Sequence, residues 1–336
     1  MMRLASVSVS SLAALLLLVP LGCGSVDDSG DGGDEQPDGG AEPDGGDESA
    51  APQVESVAPD DGATGVAPDT KIKIVFDRAM DTDSVEAAWS SEALPASEVA
   101  FSWNASGTTL TVTADGGLPV AEGSGLDPSG VTPVEVAYSI AASAVDADGI
   151  PLQAPVEVSF TTVRRMIAEL EHVPLLTDER APGGVSVAGS NSIVYAGDDS
   201  SNRPVRAGIS FDISGVPDGA AIEGATFHAQ QTNLNNTPFD DLGDLLATHV
   251  TFAAVSDLYE AEALASLGVF SSSAELGERS VPVTGAVVDD LAHLEERGGY
   301  SQYRLQFTGA TDGDGLYDAA QFQKENLRLV ITYLVP

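Results

Sequence analysis

Thr311-Asp-Gly-Asp-Gly-Leu-Tyr-Asp318 places three carboxylates close together in the chain. Asp312, Asp314 and Asp318 could supply oxygens to Ca²⁺, a hard cation that accepts carboxylates and backbone carbonyls. The same spacing also suits an ordinary acidic loop. Asp146 and Asp148 offer a second pair, in Asp146-Ala-Asp-Gly149, where Asp-Gly reads first as a turn. The acidic run from Asp27 to Asp34 lacks the fixed ligand order and closing Glu of a calcium loop. His228, His249 and His293 do not form a zinc spacing, and His172 stands alone. There is no Ser-His-Asp order, no Walker loop and no Gly-rich dinucleotide loop. With 52 acidic residues, chance carboxylate pairs are plentiful, so they give no signal for glycoside hydrolysis. No catalytic residue is assigned, and the chain is read as a non-enzyme.

The other reactive group is the single cysteine, Cys23. It can form no internal disulfide, and a lone thiol in an oxidising compartment is a liability unless it is used. The segment before it is tripartite: Arg3 supplies positive charge, Leu4 to Leu21 is apolar around Leu12–Val19, and Leu21-Gly22-Cys23 precedes a sharp change of composition. This is a targeting segment over residues 1–22 rather than part of the fold, since no basic stop-transfer cluster follows. Pro20-Leu-Gly-Cys23 resembles the box of bacterial lipoproteins, with Pro20 where that family usually has Leu. The resemblance implies diacylglycerol on the Cys23 thiol and cleavage that makes Cys23 the first mature residue. Several acyl chains on one terminus would give stable anchoring. Gly24, in place of the Asp that retains such proteins at the inner membrane, favours the outer membrane or cell surface of a Gram-negative bacterium.

Residues 23–50 read as a disordered acidic tether. From Gly24 onward they hold ten acidic residues, no basic ones and one branched apolar side chain, Val26. Such a segment cannot bury enough surface to offset chain entropy, and its like charges keep it extended. The whole chain carries a formal net charge of −38. That excludes nucleic acid as a partner, because phosphate backbones need Lys and Arg, and it excludes electrostatic attachment to anionic lipid.

Beyond the tether, alternating apolar runs broken by turn residues predict an all-β chain of two β-sandwiches. In residues 51–162 one face is carried by Ile72, Ile74 and Phe76, then Leu110 and Val112. It continues with Val134, Val136, Tyr138 and Ile140, and then Val156, Val158 and Phe160. The stretch from Asp115 to Pro133 is Gly-rich and reads as an expanded loop. Phe101 and Trp103 share a face, which predicts core packing for that tryptophan. Pro52–Pro59, Asp61–Pro68 and Ile74–Asp81, with the ending Asp146–Leu152 and Val158–Thr162, resemble the bacterial Ig-like domain first described in S-layer proteins. The resemblance implies a spacer or adhesive module without catalysis.

Residues 163–172 read as a short helix or an extended linker, with Arg164 and Arg165 on a solvated face or against an acidic neighbour. In residues 173–336 the alternating sets are Ile209, Phe211 and Ile213, then Ala225, Phe227 and Ala229, with shorter pairs between. Leu327, Leu329, Ile331 and Tyr333 form the last set. Within Ala286–Glu295, Val287, Leu291 and Leu294 align on one stripe of a short helix. The expectation is an antiparallel, jelly-roll-like sandwich with a helix against one edge. Arg206–Ser214, Val216–Phe227, Tyr303–Phe307 and Phe322–Tyr333 resemble a secreted carbohydrate-binding-like β-sandwich family of the DNRLRE type. That resemblance implies a glycan-binding or structural module.

The domain carries no tryptophan, which leaves Tyr195, Tyr259, Tyr300, Tyr303 and Tyr317 as the aromatic faces a sugar could use. The expected function is a non-catalytic surface lipoprotein, structural or adhesive, with an Ig-like stalk. Glycan recognition and an accessory part in polysaccharide processing are the alternatives. Expected partners are the membrane, through the lipid, and polysaccharide or another surface protein.

Overall fold

The structure, a computed structural model, describes residues 50–174, 185–187 and 193–336. The targeting segment, Cys23 and the tether through residue 49 lie outside the described residues.

The first module contains β1 (Val54–Ala58), β2 (Ile72–Phe76), α1 (Thr82–Ala87), β3 (Trp89–Ser90), β4 (Val99–Trp103), β5 (Thr109–Ala114), β6 (Ala121–Ser124), β7 (Glu135–Ile140) and β8 (Val156–Thr161). Two sheets face each other, ordered β1-β2-β5-β4 and β3-β7-β8. The period-two residues meet between them: Ile74, Phe76 and Leu110 from one sheet, Val136, Tyr138 and Phe160 from the other, all buried. Trp89 stacks on Tyr138 at 4.8 Å and donates its indole N–H to the Leu94 carbonyl at 3.0 Å. Trp103 stacks on Phe76 and donates to Glu86 Oε1 at 3.0 Å, so it lies against the core as its alternation predicts.

The second module contains β9 (Arg164–Glu171), β10 (Val185–Val187), β11 (Ile193–Asp198), β12 (Pro204–Asp212), β13 (Ala221–Asn235), α2 (Pro238–Asp241), β14 (Leu245–Val250), α3 (Val255–Glu260), β15 (Ala265–Ser271), β16 (Gly277–Pro282), α4 (Thr284–Ala292), β17 (Tyr300–Phe307), β18 (Ala319–Gln323) and β19 (Arg328–Val335). They form one curled sheet in the order β15-β14-β17-β12-β11-β18-β13-β19-β9-β6, with β10 on β12 and β16 on β13. The short β11–β12 pairing, Gly197 with Val205 and Asp198 with Pro204, is the corner at which the sheet folds back on itself. The two halves then bury one shared core, in which Ile209, Phe211, Phe227, Tyr303, Phe322 and Tyr333 are fully enclosed. α4 presents Ala286 and Val287 to that core, with Leu291 and Leu294 packed at its margin. Val287 and Leu291 share the stripe as predicted, but the helix begins two residues earlier and ends at Ala292, so Leu294 packs from the turn that follows it.

Two segments differ from expectation. Residues 163–172 are no free linker: Arg164–Glu171 pairs antiparallel with β19 over eight registered residues. Met166 and Ala168 point into the core while charged neighbours face out, a strand pattern diluted by Arg and Glu. Within the expected loop from Asp115 to Pro133, β6 pairs in parallel with β9 and so joins the first module to the sheet of the second. β6 has no apolar alternation, so nothing local marks it as a strand. A Cβ at Gly123 would lie 2.4 Å from Val131 Cγ2 and 2.8 Å from the Met166 sulfur, so a larger residue there would force both side chains to shift. Across the same seam Arg165 lies 3.8 Å from Glu122 Oε1 and Arg164 bonds the Pro128 carbonyl at 2.9 Å, while within the second sheet Arg165 pairs with Glu223 at 2.6 Å. Residues Ser49–Pro336 thereby form one compact unit.

Candidate metal centre

At one end of the curled sheet, β11 and β18 finish side by side. Gly197 pairs with Ala319, and one step outward the Asp198 N–H donates to the Asp318 carbonyl at 2.8 Å. Gly197 permits this approach, since a Cβ there would fall 1.8 Å from the Asp318 carbonyl oxygen. Asp198 and Asp318 are therefore opposed across a ladder, and both are fully buried. Like charges directly opposite in a sheet repel.

Loops from three other places converge on the pair. Asn236, in the left-handed region at φ 47°, donates from Nδ2 to the Tyr317 carbonyl at 3.1 Å. The Thr237 N–H, at the start of α2, donates to Asp318 Oδ1 at 3.2 Å, and its hydroxyl donates to Asp241 Oδ2 at 2.6 Å. Asn202 Oδ1 accepts from the Gly315 N–H at 2.8 Å, which ties the 311–318 loop to the turn after β11. One carboxylate oxygen each from Asp241, Asp312 and Asp318 then lie within 4.8 Å of one another. Asp241 and Asp312 are exposed.

Of the residues proposed from sequence, Asp312 and Asp318 come together. Asp314 stays outside that group and accepts the Leu316 N–H at 2.6 Å, though its charge reaches Asp318. Asp241 and Asp198 were missed, because they arrive from α2 and β11, far away in sequence. Burial holds the Asp318 carboxyl above the usual carboxylate range. The charges of Asp241, Asp314 and Asp198 push the same way, against the Thr237 hydrogen bond. Arg203, the basic residue in the neighbouring turn, is engaged by Asp199 instead. An end of this kind can hold a hard cation.

The other candidates are occupied locally. Asp146 Oδ1 accepts the N–H groups of Asp148 and Ile150 at 3.0 and 2.8 Å, which is the turn its Asp-Gly sequence predicts. His228 bonds Glu278 at 3.1 Å, and His293 bonds the Asp289 carbonyl at 2.8 Å. His249 Nε2 lies 2.8 Å from Asp290 Oδ1, both buried, with Arg297 bonded to the same oxygen. This trio fastens β14 to α4. Of the five tyrosines, Tyr303 is fully buried, Tyr259 lies under Arg206, and Tyr195 meets Tyr317 edge-on at 5.7 Å. Among the described residues no helix is long and apolar enough to cross a membrane.

Two facing sheets followed by a curled sheet define a mostly β protein with an N-terminal Ig-like domain and a second, larger β module. Residues 48–162 match the family described as "Bacterial Ig-like domain". No curated protein matches the chain. Among solved structures it is similar to an L,D-transpeptidase from Mycobacterium smegmatis, at 14% identity and a TM-score of 0.23, covering 60% of this chain and 66% of that one. It is also similar to an LD transpeptidase in complex with imipenem, at 16% identity and a TM-score of 0.20, covering 55% of this chain and 62% of that one. The chain thus spans just under two thirds of the length of each. At these values the likeness carries no argument about activity.

Proposed function

We propose that this chain is a non-catalytic surface lipoprotein, structural or adhesive. In this reading, lipid on Cys23 anchors it to the outer membrane, the acidic tether lifts it clear, and the Ig-like module presents the curled β module. The observation that carries the reading is the seam. Parallel pairing of β6 with β9 makes the Ig-like module continuous with the second sheet, as suits a stalk built without a hinge. The N-terminal box and Gly24 support the anchor and its location.

Expression in a Gram-negative host with labelled palmitate tests this reading. The full chain is expected to take up label and to fractionate with the outer membrane. Cys23→Ala is expected to lose all label and to appear in the soluble fraction. Membrane retention of the unlabelled variant would contradict the anchor.

A second reading, glycan recognition, rests on Tyr195 and Tyr317. They form a half-buried edge-on pair on the strands and loop that carry the acidic centre. Tyrosine faces beside polar groups offer a sugar large contact area at low entropy cost. On a glycan array run with the full chain, binding lost in Tyr317→Ala supports this reading. No binding to any sugar, with or without Ca²⁺, removes it.

A further inference from the structure

We propose that Asp241, Asp312 and Asp318 together bind one Ca²⁺ ion beside the buried Asp198 carboxylate, and that the ion locks the start of α2 and the 311–318 loop to the end of the sheet.

An acidic cluster alone is weak ground for a cation site, because exposed carboxylates are common. The independent observation is what lies beneath it. Three of the four carboxylate oxygens of Asp198 and Asp318 have no hydrogen-bond partner, although both side chains are fully buried. The fourth, Asp318 Oδ1, has one bond, from Thr237. Burying an uncompensated carboxylate is strongly unfavourable, and here two are opposed. Among the described residues no ion pair reaches Asp198, Asp241, Asp312 or Asp318, and the nearby Arg203 pairs with Asp199. A proton or a cation is the remaining way to balance this charge, and the carboxylates of Asp241 and Asp312 converging on Asp318 favour the cation.

The chemistry selects the ion. All the side-chain donors are carboxylates, with no His or Cys in the group, which disfavours zinc. The ligands come from separate loops in irregular positions. That suits Ca²⁺, which takes six to eight oxygens in flexible geometry, better than Mg²⁺, which demands a near-ideal octahedron. Gly197 fits the same purpose, since any side chain there would force β11 and β18 apart and separate the two buried carboxylates.

The test uses the full chain after chelator treatment, titrated with CaCl₂ and, in parallel, with Tb³⁺, whose luminescence Tyr195 and Tyr317 would sensitise. Expected are a single saturable site and a rise in Tm of about 5 °C or more at saturating Ca²⁺. Asp318→Asn is expected to abolish both signals, and Asp198→Asn, which removes the opposed buried charge, to raise the Tm of the ion-free protein. Asp241→Asn, at an exposed position where an amide oxygen can still accept the Thr237 hydroxyl, is expected to weaken affinity by about tenfold or more. Asp148→Asn is expected to change nothing. Carboxylates of the tether could bind Ca²⁺ diffusely, but that binding would neither move Tm nor respond to Asp241→Asn. Absence of a Tm shift, or binding unchanged in both Asp241→Asn and Asp318→Asn, would overturn the assignment. So would stabilisation by protons alone, in which acidification raises Tm and Ca²⁺ does not.

Discussion

Phe227→Ala is expected to cost about 3–5 kcal/mol, the usual range for deleting a fully buried phenylalanine. Phe227 on β13 lies flat against Tyr303 at 5.4 Å and stacks on Phe270 at 5.1 Å, with Phe211 at 5.7 Å. Its ring thus joins β12, β13, β15 and β17 at the centre of the curled sheet. The neighbouring rings are held by their own strands and cannot collapse into the space. Against a total of about 5–15 kcal/mol for a native protein, that loss is large. It should appear as a clear drop in the guanidinium midpoint. Both tryptophans, Trp89 and Trp103, lie in the first module, so indole fluorescence reports that module alone. If the seam couples the modules, the midpoint seen by fluorescence falls together with that seen by far-UV circular dichroism. A tryptophan midpoint that stays put would show that the seam transmits nothing.

Asp290→Ala is expected to cost a similar amount, about 3–5 kcal/mol, for a different reason. Asp290 is buried, and its Oδ1 meets both His249 Nε2 and Arg297. Removing the carboxylate leaves a buried imidazole without its partner. It also leaves Arg297 with Asp289 as its remaining acidic contact, at 2.7 Å. Asp290→Asn keeps an oxygen for His249 but removes the charge that faces Arg297, so it should fall between wild type and the alanine variant. Equal stability of all three proteins in urea would mean that the trio does not brace α4 against β14.

The strands of both cores were legible because one face of each is buried. Ile72, Ile74 and Phe76, or Leu329, Ile331 and Tyr333, announce their strands by alternation, and all of them are buried where that alternation puts them. α4 was legible from Val287 and Leu291 for the same reason at a helical period. The seam was not. β9 mixes Arg and Glu into its alternation, and β6, Ala-Glu-Gly-Ser, is a strand only because β9 lies beside it. Pairing between distant segments leaves no local trace. The acidic centre shows the same division. Asp312 and Asp318 share a short acidic motif, whereas Asp241 and Asp198 reach it only through the ends of β13 and β11. Asp198-Asp199 reads as one more acidic turn in a chain of net charge −38. What separates the two is burial: Asp198 is enclosed with no partner, while Asp199 holds Arg203.

The most direct measurement on the loop end is anomalous diffraction from crystals of the full chain grown in Ca²⁺. The predicted result is one peak beside Asp318, with oxygens of Asp318, Asp241 and Asp312 at about 2.3–2.6 Å from it. A map without a peak there, and with the Asp198 and Asp318 carboxylates still buried and opposed, would contradict the assignment.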